Sequence, residues 1–325
     1  MAPDAPEPRL DALLAREHQK PASPAVRTLV DAIRDRHPGA VVGILFYGSC
    51  LRRNVDEGVH DFYVLVDSYR GAYTKARLRI LNQWLPPNVF YVESEDEAGV
   101  QRAKYAVISV DDFERMTRPG CLHPYIWARF AQPSLLVYSR DADSRQRILG
   151  TLAQAIKTLV QRLGVFLPAR GSTQRYSMAA LWQEAFRRTY ATELRGEHPE
   201  TIARLYEADA VRYDAMATAA LVELATDGFL DNVDVRGNAV ETRMTSRALL
   251  GGRARWRVLH PLAKTIAFVR LLKSATTFGD WLPYILWKVE RHSGEPLIVS
   301  ERQRRHPFIF GWPVFLELLR RGVLR

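Results

Sequence analysis

Gly48-Ser49 and Asp61 are the residues of this 325-residue chain whose types and spacing could do chemistry. The sequence around them reads FYGS, then the basic, polar stretch CLRRNVDEGVH, then DFYVLVD. A Gly-Ser turn that opens a helix offers backbone N–H groups and a hydroxyl to phosphates. A carboxylate at the head of the next strand can hold Mg²⁺, and two such ions clamp attacking and leaving oxygens. Turn and carboxylate together suit nucleotidyl transfer, an in-line attack on an α-phosphorus with pyrophosphate leaving. The bland reading is an ordinary turn between two buried strands. Gly-Ser alone is a weak signal, and Asp61 strengthens it.

The elements that must position these residues are legible in outline. The spacing of Val26, Leu29, Val30 and Ile33 predicts a helix over residues 25–36, stopped by His37-Pro38-Gly39. Residues 40–47 form a continuous apolar run, as a strand buried on both faces requires. Further strands are expected from Asp61 (DFYVLVD), from Asn88 (NVFYVES), over residues 104–109 (KYAVIS) and over residues 134–139 (SLLVYS). Residues 74–84 have helical composition and end at Pro86-Pro87. Past Asp141 the apolar spacing becomes helical, over residues 145–163, 177–195 and 202–224, with no internal repeat.

The order and wording of these segments resemble the nucleotidyltransferase domain of the mitochondrial translocator assembly and maintenance family. Members of that family are mitochondrial-type CDP-diacylglycerol synthases, that is, phosphatidate cytidylyltransferases. The resemblance rests on Tyr47-Gly48-Ser49, Asp61-Phe62 with Val66-Asp67, and Val89-Phe90-Tyr91. It continues in Lys104-Tyr105 with Val107-Ile108-Ser109, and in Tyr125-Ile126 with Arg129 and Pro133. It covers about residues 44 to 138, with a weaker echo over residues 176–195. It implies condensation of CTP with phosphatidic acid to CDP-diacylglycerol and pyrophosphate, with Mg²⁺ as cofactor. Asp61 would be a catalytic metal ligand, and Tyr47, Gly48 and Ser49 would bind the nucleotide. Lys104 would put its compact charge on the phosphates, and Arg129 would pair with an anionic group of either substrate. Without the family pattern, Lys104 reads as a strand-end lysine facing water and Arg129 as part of a helix-face salt bridge.

The chain departs from the expected pattern in three places. Nucleotidyltransferases commonly carry a second Asp two places after the first, and that position here is Tyr63. Asp67 lies about 20 Å along the strand from Asp61 and cannot replace it. A second metal ligand is expected instead from the neighbouring strand, where Glu93 is favoured over Glu95, with Asp56 and Glu57 as other candidates. The stretch SYRGAYTKARLRILNQWLPP is shorter than its family counterpart and lacks its richness in His and Asn, which bears on the acceptor more than on the chemistry.

The expected fold is α/β (α+β), a nucleotidyltransferase-type mixed sheet domain followed by a helical domain and a basic, aromatic C-terminal segment. Its divisions are a loose arm over residues 1–24, the catalytic domain over 25–140, the helical domain over 141–245 and the C-terminal segment over 246–325. A formal charge of +10 favours anionic partners. From Lys264 onward eleven basic residues face five acidic ones. Trp281, Tyr284, Trp287, Phe308, Phe310 and Trp312 alternate there with Lys273, Lys288, Arg291, Arg304 and Arg305. Such a segment suits an anionic membrane surface, though it also reads as a helical core with buried aromatics.

No apolar run reaches the roughly 18 residues of a membrane span. Cys50 and Cys121 make no framework and show no zinc spacing. The start of the chain lacks the regions of a secretory signal. A cytoplasmic protein, peripheral at the inner membrane surface, is therefore expected. Nucleic acid is a disfavoured partner because no recognised module is present, and the oligomeric state is left open. Two alternatives stand beside this reading. One is transfer to a different acceptor, such as a sugar phosphate, a nucleic-acid end or a protein. The other is an inactive nucleotidyltransferase-like scaffold, which Tyr63 favours.

Overall fold

The computed structural model describes residues 9–97, 99–193 and 199–277. Its centre is a five-stranded mixed sheet of β1 (Val41–Tyr47), β2 (Val59–Val66), β3 (Asn88–Asp96), β4 (Gly99–Ser109) and β5 (Ser134–Ser139). The order across the sheet is β3-β4-β2-β1-β5. β2 and β4 run parallel, and every other pair is antiparallel. Parallel neighbours need a crossover. Here it is built from α4 (Tyr69–Ala72), α5 (Ala76–Trp84) and β3 itself. Asn82 ties this crossover down: its amide donates to Val107 O at 2.9 Å, and its carbonyl accepts from Asn88 N at 2.6 Å.

Both faces of the sheet are covered, which explains the continuous apolar runs. On one face lies α2 (Pro24–Arg36), whose Val26, Leu29, Val30 and Ile33 pack against Ile44, Phe62, Val64 and Val107. Pro24 at its first turn and Ser23 as its cap, accepting from Val26 N at 3.4 Å, set its start. The other face carries α6 (Val110–Thr117), α7 (Tyr125–Phe130) and α8 (Ala142–Leu163). Gly43 interrupts the apolar run of β1 because α8 passes there; a Cβ at Gly43 would lie 2.4 Å from Ile148 Cδ1.

Three expectations about organisation are corrected. Residues 10–17 are not a loose arm. They form α1 (Leu10–Glu17), with Leu10 and Leu14 in the core and His18 Nδ1 accepting from Leu136 N at 2.7 Å. The leucines stand one helical turn apart, enough to seat a short amphipathic helix. Next, the region after Asp141 is not purely helical. Beside α9 (Met178–Tyr190), α10 (Pro199–Glu207) and α11 (Ala210–Thr226) it holds a second sheet, β6-β7-β9-β8. Its strands are β6 (Ala169–Arg170), β7 (Thr173–Ser177), β8 (Asn232–Arg236) and β9 (Ala239–Arg243). Finally, the helical part is not a separate domain. A single apolar core runs from Leu45, Tyr63 and Ile108 of the sheet through α8 to Trp182, Phe186 and Tyr213.

The last described element is α12 (Ser246–Thr277). Lys273, expected among surface cations, is buried in α12, donating to Leu85 O and, at 2.7 Å, to Pro87 O. The expected cluster of Trp281, Tyr284, Trp287, Phe308, Phe310 and Trp312 lies outside the described residues. Among those described, no helix is long and apolar enough to cross a membrane.

Candidate active site

β1 ends at Tyr47, and the chain turns at Gly48 into α3 (Ser49–Arg53). Gly48 has φ 91°, a conformation that side chains disfavour. A Cβ there would also lie 2.7 Å from Asp61 Oδ2. The turn is therefore pressed directly against the carboxylate, and glycine is required for both reasons. The first helical bond of α3 runs from Arg52 N to Gly48 O at 3.1 Å, so the N–H groups of Ser49, Cys50 and Leu51 precede it.

The sheet register assembles the rest. Tyr47 pairs with Asp61, Asp61 with Lys104, and Lys104 with Tyr91, across four adjacent strands. Directly paired residues share a face, so these side chains line one row. Lys104 Nζ lies 3.1 Å from Asp61 Oδ1, with side-chain exposures of 39% and 21%. The ammonium is thus held at the carboxylate rather than simply turned to water. The lateral pairing of β2 with β4 achieves this, although 43 positions separate the two residues in sequence.

Tyr63 shares the face of Asp61 two residues further in and is fully buried. Its ring packs 4.9 Å from Phe130 and 5.4 Å from Tyr47. The place of a second carboxylate is filled by core. Burial first, and then the negative charge of Asp61, push the Tyr47 phenol well above its ordinary pKa, against the pull of Arg129. Arg129, on α7, stands over the Tyr47 ring at 5.3 Å, with its Nη2 3.6 Å from Glu193 Oε1.

Glu93 is not brought to Asp61. β4 lies between β2 and β3, so β3 is not the neighbour of β2 that was expected. Two strand spacings plus two residues along β3 put the backbones of Asp61 and Glu93 about 12 Å apart. Glu93 instead accepts from Tyr91 Oη at 2.7 Å and Arg102 Nε at 3.1 Å. Asp56 accepts from Ser23 Oγ at 2.7 Å. Asp67 pairs with Arg140 at 2.8 Å at the far end of β2. Among the described residues no group of three or more His, Cys, Asp or Glu side chains could hold a metal ion. One carboxylate still fits Mg²⁺, which commonly binds through one or two carboxylates, water and substrate phosphates rather than in an all-protein cage.

Sequence reasoning does not single out Tyr91 or Glu193 for the site. Tyr91 is set by register and Glu193 by tertiary packing, and neither has a local signature. No protein-family model matches the chain, and no curated protein matches it either.

Proposed function

We propose that this chain is a Mg²⁺-dependent nucleotidyltransferase whose acceptor is phosphatidic acid and whose donor is CTP. The observation that carries the reading is the row Tyr47–Asp61–Lys104, with the Gly48 turn closed against the Asp61 carboxylate. Asp61 is the side chain that would hold Mg²⁺ at the triphosphate. The ion, when bound, neutralises charge on the phosphates. Lys104 turns its ammonium towards a phosphate oxygen, which its flexible stem allows. The N–H groups of residues 49–51, which precede the first helical bond of α3, would serve the same charge. CTP and the lipid acceptor come from the family resemblance of residues 44–138.

The surface of α12 favours the lipid. Residues 246–277 contain seven basic side chains and no acidic one. Leu250, Val258, Leu262, Phe268 and Val269 are exposed along α12. At 100° per residue they fall within one third of the helix surface, with Arg247 among them, Arg255 at one edge and Arg257 and Lys264 at the other. Exposed apolar and basic side chains along one helix suit the headgroup region of an anionic bilayer, a place from which phosphatidic acid can be reached.

A second reading is favoured by Tyr63, whose burial leaves Asp61 the sole carboxylate in the row: a nucleotide-binding protein without turnover. Purified protein incubated with Mg²⁺, phosphatidic acid vesicles and each nucleoside triphosphate decides the matter through released pyrophosphate. Lipid-dependent release with CTP, lost in Asp61→Asn, supports transfer. Binding of CTP with no release supports the second reading.

A further inference from the structure

Arg270 is a cation of α12 to which nucleotidyl transfer at Asp61 and Lys104 gives no task. It is 7% exposed, and its Nε donates to Pro86 O at 3.3 Å. Its Nη1 is buried with no hydrogen-bond partner among the described residues. The guanidinium lies over the Tyr125 ring at 4.0 Å, and Arg129 shares that ring at 4.8 Å. Arg129 Nε is likewise buried and without a partner there. His123 fixes Tyr125 in place. Its Nδ1 accepts from Tyr125 N at 3.0 Å, while its Nε2 faces Ala263 O of α12 at 3.1 Å.

A buried guanidinium, Arg270, and a half-buried one, Arg129, thus share the Tyr125 ring with an unused buried donor each, and the one carboxylate against Arg129, Glu193, is at 3.6 Å, longer than a hydrogen bond. Buried charge without a close partner is expensive to maintain, and burial together with repulsion from Arg129 disfavours the charged form of Arg270. An arginine fork held this way suits a planar or tetrahedral oxyanion. Arg129 reaches the row of Asp61 through Tyr47, and its side chain keeps 25% exposure, so solvent reaches the Arg129 end of the pair.

We propose that Arg129 and Arg270 form a second anion subsite, separate from Lys104 and the Gly48 turn, that receives the dianionic phosphomonoester of the acceptor. Glu193 is its placeholder and is displaced when the phosphate enters. The assignment rests on the nucleotidyl-transfer reading. There, an acceptor phosphate oxygen forms the new bond to the α-phosphorus, the α–β bridging P–O bond breaks, and the electron pair leaves on pyrophosphate. The two guanidiniums offset the repulsion between a dianion and a triphosphate, a charge problem that Lys104 alone does not meet.

The test is calorimetric titration of the full chain with dioctanoyl phosphatidic acid below its micellar concentration, with glycerol 3-phosphate, and separately with MgCTP. Arg270→Gln is expected to weaken phosphomonoester binding by about 10- to 100-fold, the worth of one charge-assisted hydrogen bond, and to leave MgCTP binding unchanged. Arg270→Lys should fall between, and Glu193→Gln should tighten the phosphomonoester. Arg270-dependent binding of the lipid alone assigns the acceptor to phosphatidate. The same dependence with glycerol 3-phosphate assigns a soluble phosphomonoester, and both results support the subsite.

The subsite is overturned if wild-type protein binds neither probe. It also falls if a folded variant, by melting temperature, binds the phosphomonoester unchanged or loses MgCTP equally. If Arg270→Gln does not fold, Arg270→Lys carries the same comparison. Arg270-dependent phosphomonoester binding without pyrophosphate release from any triphosphate keeps the subsite and removes the transfer reading. Pyrophosphate release with an unchanged acceptor KM in Arg270→Lys does the reverse.

Discussion

The two ends of β2 carry the same chemical pair in different surroundings. At one end Asp61 meets Lys104 at 3.1 Å, and at the other Asp67, just past the strand, meets Arg140 at 2.8 Å. The Arg140 guanidinium is committed to the backbone: its Nε donates to Val41 O at 3.2 Å and its Nη2 to Gly39 O at 3.0 Å. It closes strand ends, and Asp67 completes it. Lys104 is a single charge on a flexible stem, and its partner Asp61 lies against the glycine turn that opens α3. A carboxylate–cation distance therefore says little about role. The rigidity of the cation and the surroundings of the carboxylate separate a structural pair from one that can open for a ligand.

The sharpest way to break this comparison is to neutralise each carboxylate in turn. Asp61→Asn should lower pyrophosphate release by about a thousandfold, the scale of losing a principal electrostatic contact in a transition state. Asp67→Asn should leave the rate within about twofold. Its effect should appear only in melting temperature, at about 0–1 kcal/mol as for other exposed pairs. Equal losses of activity in the two variants would remove the distinction.

Acid should disturb the site end through His123 and the β5 edge through His18, both held near pKa 3 chiefly by burial. Both rings accept a backbone N–H on Nδ1, from Tyr125 and Leu136, so each is needed neutral. The unfolded chain binds protons at these histidines below about pH 6.5 and the folded protein only near pH 3. Stability is thus lost as pH falls through this window, by about 1.4 kcal/mol per pH unit for each histidine. Urea denaturation at stepped pH measures the slope, and His123→Gln should flatten it by one histidine. An unchanged slope in that variant would show that His123 does not supply the loss.

Glycine replacements sharpen the contrast further. Gly48→Ala should cost about 1–3 kcal/mol through its positive φ and should also impair nucleotide binding, because its Cβ meets Asp61 Oδ2. Gly43→Ala should cost about 1–3 kcal/mol through overpacking alone, since it meets the end of Ile148. MgCTP titration beside urea melts separates the two. Loss of nucleotide binding in Gly43→Ala as well would mean that the site senses the whole sheet rather than its own turn.

Much of the first sheet is legible in the residues alone. Its five strands fall where apolar runs end at Gly, Pro or charged residues, because a strand covered on both faces needs an unbroken apolar segment. The second sheet escapes a search for such runs, although NVDVRGNAVETR carries a different signal: short alternation on both sides of a Gly-Asn turn. Its other two strands, Ala169–Arg170 and Thr173–Ser177, are short, with no comparable pattern. The docking of α1 is hidden because the Pro-rich composition before and after it outweighs the spacing of two leucines.

The sequence by itself determined that a strand would end in Gly48-Ser49 and that Asp61 would head the next one. These are local facts, written in turn residues and apolar runs. Tertiary structure decided who stands beside Asp61. The insertion of β4 between β2 and β3 brought Lys104 to 3.1 Å, removed Glu93 and placed Tyr91 in the row. It was also tertiary packing that brought Arg270 from a distant helix onto Tyr125. Local patterns fix which face a residue takes within its strand. Which strands become neighbours depends on the packing of the whole chain, because their burial is shared among segments far apart in sequence.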